Sequence, residues 1–293
     1  MIAIDLGSNT IRCIEFDGTV WGKSYEKIVR TAEGLHETDR IGENAIRRIA
    51  EAIDEARNVI DFSGQDVVAY TTAAMRLASN SQEALQKIQQ QSNVTFRIID
   101  AYKEAALTLA AVRYRLSKLG LTPAAFYLVD IGGGSTELIH WKNGSSSSIS
   151  INTGIVTLSE RSSSEAQLRR NIDRFRGEVE EMITSQRSEK LVLTAGTPTT
   201  IAAYVNGMDY QSYDPRIING KVLTLGECYR TFEELMAMDE STRSRYVGVG
   251  RENLIMAGIL MVTAIYEAMG CDNAIVIDDG LREGIALEYF NLH

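Results

Sequence analysis

The chain has 293 residues, and at about 150 residues per domain two domains are the first expectation. Hydrophobic residues make up 44% and charged residues 24%, a globular composition that excludes wholesale disorder. Thirty Lys and Arg against 39 Asp and Glu leave a net charge of −9, which argues against nucleic acid or an anionic membrane as a general partner. A polyanionic ligand would have to meet basic residues gathered at one place against that field. Cys13, Cys228 and Cys271 are far apart, as are His36, His140 and His293, so neither a disulfide framework nor a zinc site is expected. No basic-then-apolar leader opens the chain, and the longest apolar run, residues 254–264, falls short of the roughly 20 residues of a membrane span. The expectation is a soluble, cytoplasmic protein.

In chain order, residues 2–18 read as an apolar strand ending in Asp5, a Gly7-Ser8-Asn9-Thr10 loop, and a second strand running into Asp17-Gly18. Residues 43–60 carry Ile46, Ile49, Ile53, Ala56 and Ile60 at helical spacing. A brief strand at 67–70 follows, then a helix capped at Asn80-Ser81 and running to Gln91, and a strand at 96–99. Ala105, Leu109, Val112, Leu116 and Leu119 predict a helix over 102–119, stopped by Gly120. Thr122-Pro123 is the expected junction, giving domains 1–121 and 122–293, with a final helix at 281–290 free to pack back on the first.

Residues 127–144 then repeat the opening pattern: a strand ending in Asp130, a Gly132-Gly133-Gly134-Ser135-Thr136 loop, and a second strand running into Asn143-Gly144. Such an internal copy, about one domain length on, predicts two domains of related topology. The serine runs 145–148 and 162–164 read as surface loops. A helix over 165–184, a strand at 191–194, a helix from Thr199 to Val205, an Asn219-Gly220 hairpin, a helix over 252–269 and a strand at 274–277 complete an α/β pattern.

Strand-end glycine loops suit phosphate: glycine lets successive amides form one concavity, and Ser8, Asn9, Thr10, Ser135 and Thr136 add side-chain donors. A single such loop is equally well a tight hairpin with aspartate capping its turn. Two copies, with Ala195-Gly196-Thr197 as a third strand-end loop, favour the phosphate reading. Two better-known phosphate motifs are absent. Gly22-Lys23-Ser24 lacks the first P-loop glycine, since Asp17 stands there, and Gly132-x-Gly134 ends at Glu137, so no dinucleotide fingerprint exists.

Ile4-Asp5-Leu6-Gly7-Ser8-Asn9-Thr10, residues 129–136, Ala195-Gly196-Thr197-Pro198-Thr199-Thr200 and Gly280-Leu281-Arg282-Glu283-Gly284 together resemble the exopolyphosphatase/guanosine pentaphosphate phosphohydrolase family, in the actin, sugar kinase and Hsp70 superfamily. The resemblance implies an α/β protein with two ribonuclease-H-like domains flanking a cleft. It implies a Mg²⁺-dependent hydrolase that removes terminal phosphate from polyphosphate or guanosine pentaphosphate, with water activated by Glu104. Asp130 and Asp5 would hold the metal. Gly7 to Thr10, Arg12, Arg76, Gly132 to Thr136 (with Gly133, Gly134 and Ser135), Gly196, Thr197 and Arg282 would bind phosphate. Ordinary ion pairing is the alternative for each arginine, and an exposed helix-start glutamate the alternative for Glu104. The partners implied are polyphosphate or guanosine penta- or tetraphosphate and a second copy in a homodimer, with no nucleic acid and no membrane.

Relatives usually carry a glycine and extra acidic residues just before this glutamate. Here Asp100-Ala101-Tyr102-Lys103 stands instead, so an altered loop, a local cation and a changed rate or substrate choice are expected. Two other readings stay open: a kinase-like ATPase of the same superfamily, which would need an aspartate base, and a guanosine tetraphosphate-binding regulator with weak hydrolysis.

Overall fold

A computed structural model describes residues 1–183 and 190–292. The chain divides into two compact units, Met1–Ala111 together with the segment from Gly280 onward, and Val112–Asp279. The first division therefore falls inside a helix, ahead of the junction expected at Thr122-Pro123.

The first unit holds β1 (Ile2–Leu6), β2 (Thr10–Phe16), β3 (Trp21–Ile28), α1 (Leu35–Thr38), α2 (Glu43–Val59), β4 (Val67–Thr71), α3 (Ala73–Leu77), α4 (Ser81–Ser92), β5 (Phe96–Ile98) and the start of α5 (Ala101–Lys118). Its sheet runs β3-β2-β1-β4-β5, with β1, β4 and β5 parallel and β2 antiparallel to both its neighbours. Ile46, Ile49, Ile53 and Ala56 of α2 are buried, as their spacing predicts. At Asn80 the expected cap is not made. Its side chain instead accepts from the Ile41 amide at 2.8 Å and donates to the Ile41 carbonyl at 3.0 Å, tying α4 to a distant loop.

The second unit holds β6 (Ala125–Ile131), β7 (Thr136–Lys142), β8 (Ser145–Ile151), α6 (Ile155–Glu160), α7 (Glu165–Met182), β9 (Lys190–Thr194), α8 (Gly196–Val205), α9 (Pro215–Ile218), β10 (Lys221–Thr224), α10 (Leu225–Ala237), α11 (Glu240–Val247), α12 (Ile255–Met269) and β11 (Asn273–Val276). Its sheet is β10-β11-β9-β6-β7-β8. Read from β8 inward, the first five strands repeat the order and directions of the first unit, and β10 is an added antiparallel edge. Both sheets thus have the ribonuclease-H-like order. No helix among the described residues is long and apolar enough to cross a membrane.

Two expectations change. Ser145–148 is not a loop but the start of edge strand β8. Asn143 and Gly144 both take positive φ, 48° and 89°, a turn that returns the chain into pairing with β7 whatever the serine side chains contribute. Asn219-Gly220 is not a hairpin turn between strands. Asp214 caps α9 and Pro215 begins it, and the Asn219 amide group bonds the Asp278 amide at 2.8 Å and the Asp279 carboxylate at 3.3 Å. The expected 165–184 helix ends at Met182, and its last residue lies outside the described residues.

The last helix, α13 (Leu281–Tyr289), belongs to the first unit. A Cβ at Gly284 would sit 2.2 Å from the Leu107 carbonyl oxygen, so α13 and α5 are in backbone contact there and only glycine allows it. Lys103 of α5 also pairs with Glu288 of α13.

Candidate active site

In the first unit, the candidate residues gather at the carboxyl ends of β1, β4 and β5, where open α/β sheets bind ligands. The β1–β2 loop closes with the Gly7 amide donating to the Thr10 carbonyl at 3.0 Å. Thr71 Oγ1, at the end of β4, donates to the Leu6 carbonyl at 2.9 Å and holds the two strand ends together. The short α3 then presents Arg76, and α5 presents Glu104 after β5. These two meet: Arg76 Nη1 donates to Glu104 Oε2 at 2.6 Å and to the Ile99 carbonyl at 3.0 Å. Glu104 is 8% exposed, so it is not the ordinary surface glutamate of a helix start but a buried carboxylate neutralised by one guanidinium.

The other first-unit candidates are held differently. Asp5 is half-buried and pairs in register with Arg12, while the Arg12 guanidinium itself reaches Glu26 of β3 at 2.9 Å. Ser8 is buried, and the Ser8 and Asn9 carbonyls accept from the amides of Ala32, Val29 and Arg30. Arg282 lies at the start of α13, where Glu283 binds it at 2.6 Å through one oxygen and accepts the Gly280 amide at 2.9 Å through the other. Cys13 is wholly buried near Asp5 and Arg282. Burial pushes its thiol up to about 12, with the Arg282 charge opposing.

The second unit repeats the loop. Gly132 N–H donates to the Ser135 carbonyl at 2.9 Å, the counterpart of the Gly7–Thr10 bond, and Asp130 occupies the register position of Asp5. Neither Gly7 nor Gly132 takes the left-handed conformation expected of a nest, and only Gly132 sits in close approach, where a Cβ would lie 3.0 Å from the Ser135 carbonyl oxygen. A Cβ at Gly154 would meet the Gly133 carbonyl carbon at 2.5 Å, and the amides of Ile155 and Val156 bind the Gly132 and Gly133 carbonyls at 3.0 and 2.8 Å. Those carbonyls are thereby turned inward.

Three side-chain donors expected to meet phosphate are also directed inward. Ser135 Oγ donates to Glu137 Oε1 at 2.8 Å, Thr136 Oγ1 donates to the Thr153 carbonyl at 2.8 Å, and Thr197 Oγ1 is buried against Gly258 of α12. These hydroxyls are therefore committed within the fold. Gly196 opens α8 directly after Ala195, whose φ of 77° and ψ of −177° lie in a region that ordinarily admits only glycine. Strain of that kind at a strand-to-helix turn marks a site held in place by its surroundings.

Sequence reasoning missed four residues. Glu137 is 2% exposed and accepts from both Ser135 and Ser150, so it fixes the glycine loop from beneath. A carboxylate next to the apolar Leu138-Ile139 pair of β7 was the available signal. Asp279 is 3% exposed, binds Arg115 Nε at 3.0 Å through both oxygens, and accepts Thr194 Oγ1 on its carbonyl at 2.9 Å. Gly154 acts through a contact with no local signature, whereas Glu283 stands three residues after the Gly280 cap, a capping-box spacing, inside a segment read only for its resemblance.

Among the described residues, no group of three or more His, Cys, Asp or Glu could hold a metal ion unaided. Mg²⁺ usually takes only one or two carboxylates and completes its shell with water and phosphate oxygens. Asp5 in the first unit and Asp130 in the second, each half-buried at the end of its unit's first strand, are each a carboxylate of the kind such an ion takes.

The chain matches the model of the Ppx/GppA phosphatase family over residues 23–293. It belongs to that family. It is 26% identical to the guanosine-5′-triphosphate,3′-diphosphate pyrophosphatase of Vibrio cholerae serotype O1, covering 98% of this chain and 58% of that protein. The chain thus spans little more than half the length of that relative. It is 26% identical to exopolyphosphatase 2 of Mycobacterium tuberculosis, covering 97% of each. Among solved structures, the Aquifex aeolicus Ppx/GppA family member superposes with a TM-score of 0.77 at 29% identity, covering 98% of this chain and 96% of that one. An exopolyphosphatase from Cytophaga hutchinsonii shares the fold, with a TM-score of 0.85 at 21% identity and the same 98% and 96% coverage.

Proposed function

We propose that this Ppx/GppA family member is a phosphoanhydride hydrolase that releases the terminal phosphate of inorganic polyphosphate or guanosine pentaphosphate. The observation that carries this reading is the buried Glu104–Arg76 pair at the carboxyl ends of the parallel strands. Hydrolysis needs a group to take the proton of the attacking water and cations or amides around the developing charge. Glu104 is the base in this reading. Arg76 holds its carboxylate in one orientation. A guanidinium carries five N–H donors, so Arg76 has more than its bonds to Ile99 and Glu104 require and can reach a phosphate oxygen as well.

The Gly7–Thr10 and Gly132–Ser135 loops supply backbone amides to phosphate oxygens, with Gly196 and the Thr197 amide as a third set. Within the first unit, Arg12, the register partner of Asp5, and Arg282 are the anchored cations of this reading. Asp130 and Asp5 would hold Mg²⁺ jointly with the substrate, and the bound ion would neutralise charge on its phosphate oxygens.

The test is phosphate release from polyphosphate and from guanosine pentaphosphate, side by side, with Mg²⁺ and with the metal chelated. Release from at least one substrate that depends on Mg²⁺ is expected. Release from neither overturns the hydrolase reading, and release unaffected by chelation overturns the metal.

A further inference from the structure

Tyr102 stands in the first turn of α5 and is 72% exposed, more than any other aromatic residue among those described. Exposed tyrosines are common on surfaces and need no account in themselves. The place of this one does. The turn is tied at four points: Asp100 Oδ1 accepts the Lys103 amide at 2.7 Å, the Asp100 carbonyl accepts the Glu104 amide at 3.0 Å, Lys103 pairs with Glu288, and Glu104 pairs with Arg76. It carries one exposed aromatic ring two residues from the proposed base.

Residues two apart on an α-helix are about 200° apart around its axis. The Tyr102 ring and the Glu104 carboxylate thus lie on different sides of a helix roughly 10–12 Å across. Helical side chains lean toward the N-terminus, so both border the same helix end. A ligand that engages both must be elongated, with a phosphoryl group at one end and a flat face at the other. A nucleoside polyphosphate has that form. An inorganic polyphosphate has no face to stack.

We infer that Tyr102 is a stacking platform for the base of a nucleoside polyphosphate, which makes it a specificity-determining residue favouring nucleotide over inorganic polyphosphate. This rests on the hydrolase reading given above. Stacking accepts any base, so the residue selects a nucleotide and not guanine in particular. The lysine at 103 does not compete for the phosphates, because Glu288 holds it.

The experiment compares wild type, Tyr102→Ala and Tyr102→Phe with guanosine pentaphosphate and with tripolyphosphate at one ionic strength. Tyr102→Ala is expected to lower the ratio of the two kcat/KM values, nucleotide over tripolyphosphate, about tenfold. The change should fall on the KM for the nucleotide, because the base is remote from the reacting bond. Tyr102→Phe keeps the ring and should hold the ratio within about twofold. A ratio unmoved in Tyr102→Ala overturns the inference while leaving the hydrolase reading intact. If wild type releases phosphate from neither compound, the hydrolase reading fails instead. Equilibrium dialysis of guanosine tetraphosphate then decides the stacking: about tenfold weaker binding to Tyr102→Ala supports it, and equal binding overturns it.

Discussion

Replacing Glu104 by Gln removes one charge and one proton acceptor at almost constant volume. The carboxylate side chain is 11% exposed and accepts from Arg76 at 2.6 Å, and Arg76 is anchored independently by the Ile99 carbonyl at 3.0 Å. A hydrogen bond to a charged group contributes about 1.5–3 kcal/mol. Gln keeps an oxygen that accepts from Arg76, so the stability cost should be about 1–2 kcal/mol. For domains of this size that is a fall in Tm of roughly 2–8 °C. Loss of a general base costs about 10²–10⁴ in kcat. The two effects separate cleanly, because a protein stable by about 5–15 kcal/mol stays folded at 25 °C after so small a loss. Calorimetry and initial rates on the same preparation give both numbers. The expected result is a modestly lowered Tm, an almost unchanged KM and a kcat reduced at least about a hundredfold. A kcat within about threefold of wild type would remove Glu104 from the chemistry and leave the pair with Arg76 a structural one.

Arg76→Lys keeps the charge but loses the planar guanidinium whose other nitrogens, beyond the Nη1 bound to Ile99 and Glu104, would meet phosphate, so kcat/KM should fall at least about tenfold; near-normal kinetics would exclude Arg76 from phosphate contact. Asp130→Asn should raise the Mg²⁺ concentration for half-maximal activity, since an amide oxygen is the poorer ligand, and an unchanged midpoint would make the Asp130 loop purely structural. Ala195→Gly relieves φ 77°, ψ −177°, and after the entropy cost of glycine should stabilise by roughly 1 kcal/mol, seen as a higher Tm; a lower Tm would show that the conformation is unstrained. Burial raises the Cys13 thiol from 9.0 to about 12, so folding favours its protonated form. That contribution is complete below the unfolded value of 9.0 and is lost as pH rises towards 12. Denaturant midpoints taken at about pH 8 and about pH 10 should therefore fall more for wild type than for Cys13→Ala, and equal falls would contradict the assignment.

What the sequence makes legible is what its neighbours in the chain determine. The Asp5 and Asp130 strand–loop–strand segments could be read because apolar strands, glycine loops and turn dipeptides are local signals, and the structure places them in the same register in both sheets. Strand β8 was hidden because an edge strand of serines lacks apolar alternation, and its pairing comes from the Asn143-Gly144 turn. Helix α10 went unread although Thr224 with Glu227 three residues on is a capping signal, whose reciprocal bonds the structure contains. The commitments of Ser135 and Thr136 to internal acceptors were not readable. A hydroxyl beside a glycine loop looks the same in sequence whether it donates to a ligand or to Glu137.

The run Asp100-Ala101-Tyr102-Lys103 shows why a departure from a familiar pattern has to be followed to its contacts. A cation next to the base would be expected to alter the electrostatics of Glu104. Lys103 instead reaches Glu288 on α13, while Gly284 lets α13 lie against the Leu107 carbonyl and so keeps that partner in range. Asp100 caps the turn through the Lys103 amide, which satisfies an N-terminal donor and favours the helix dipole. Glu104 remains buried and bound to Arg76. The run therefore leaves Glu104 paired with Arg76 and puts an exposed, uncharged aromatic ring on the outer surface of the turn.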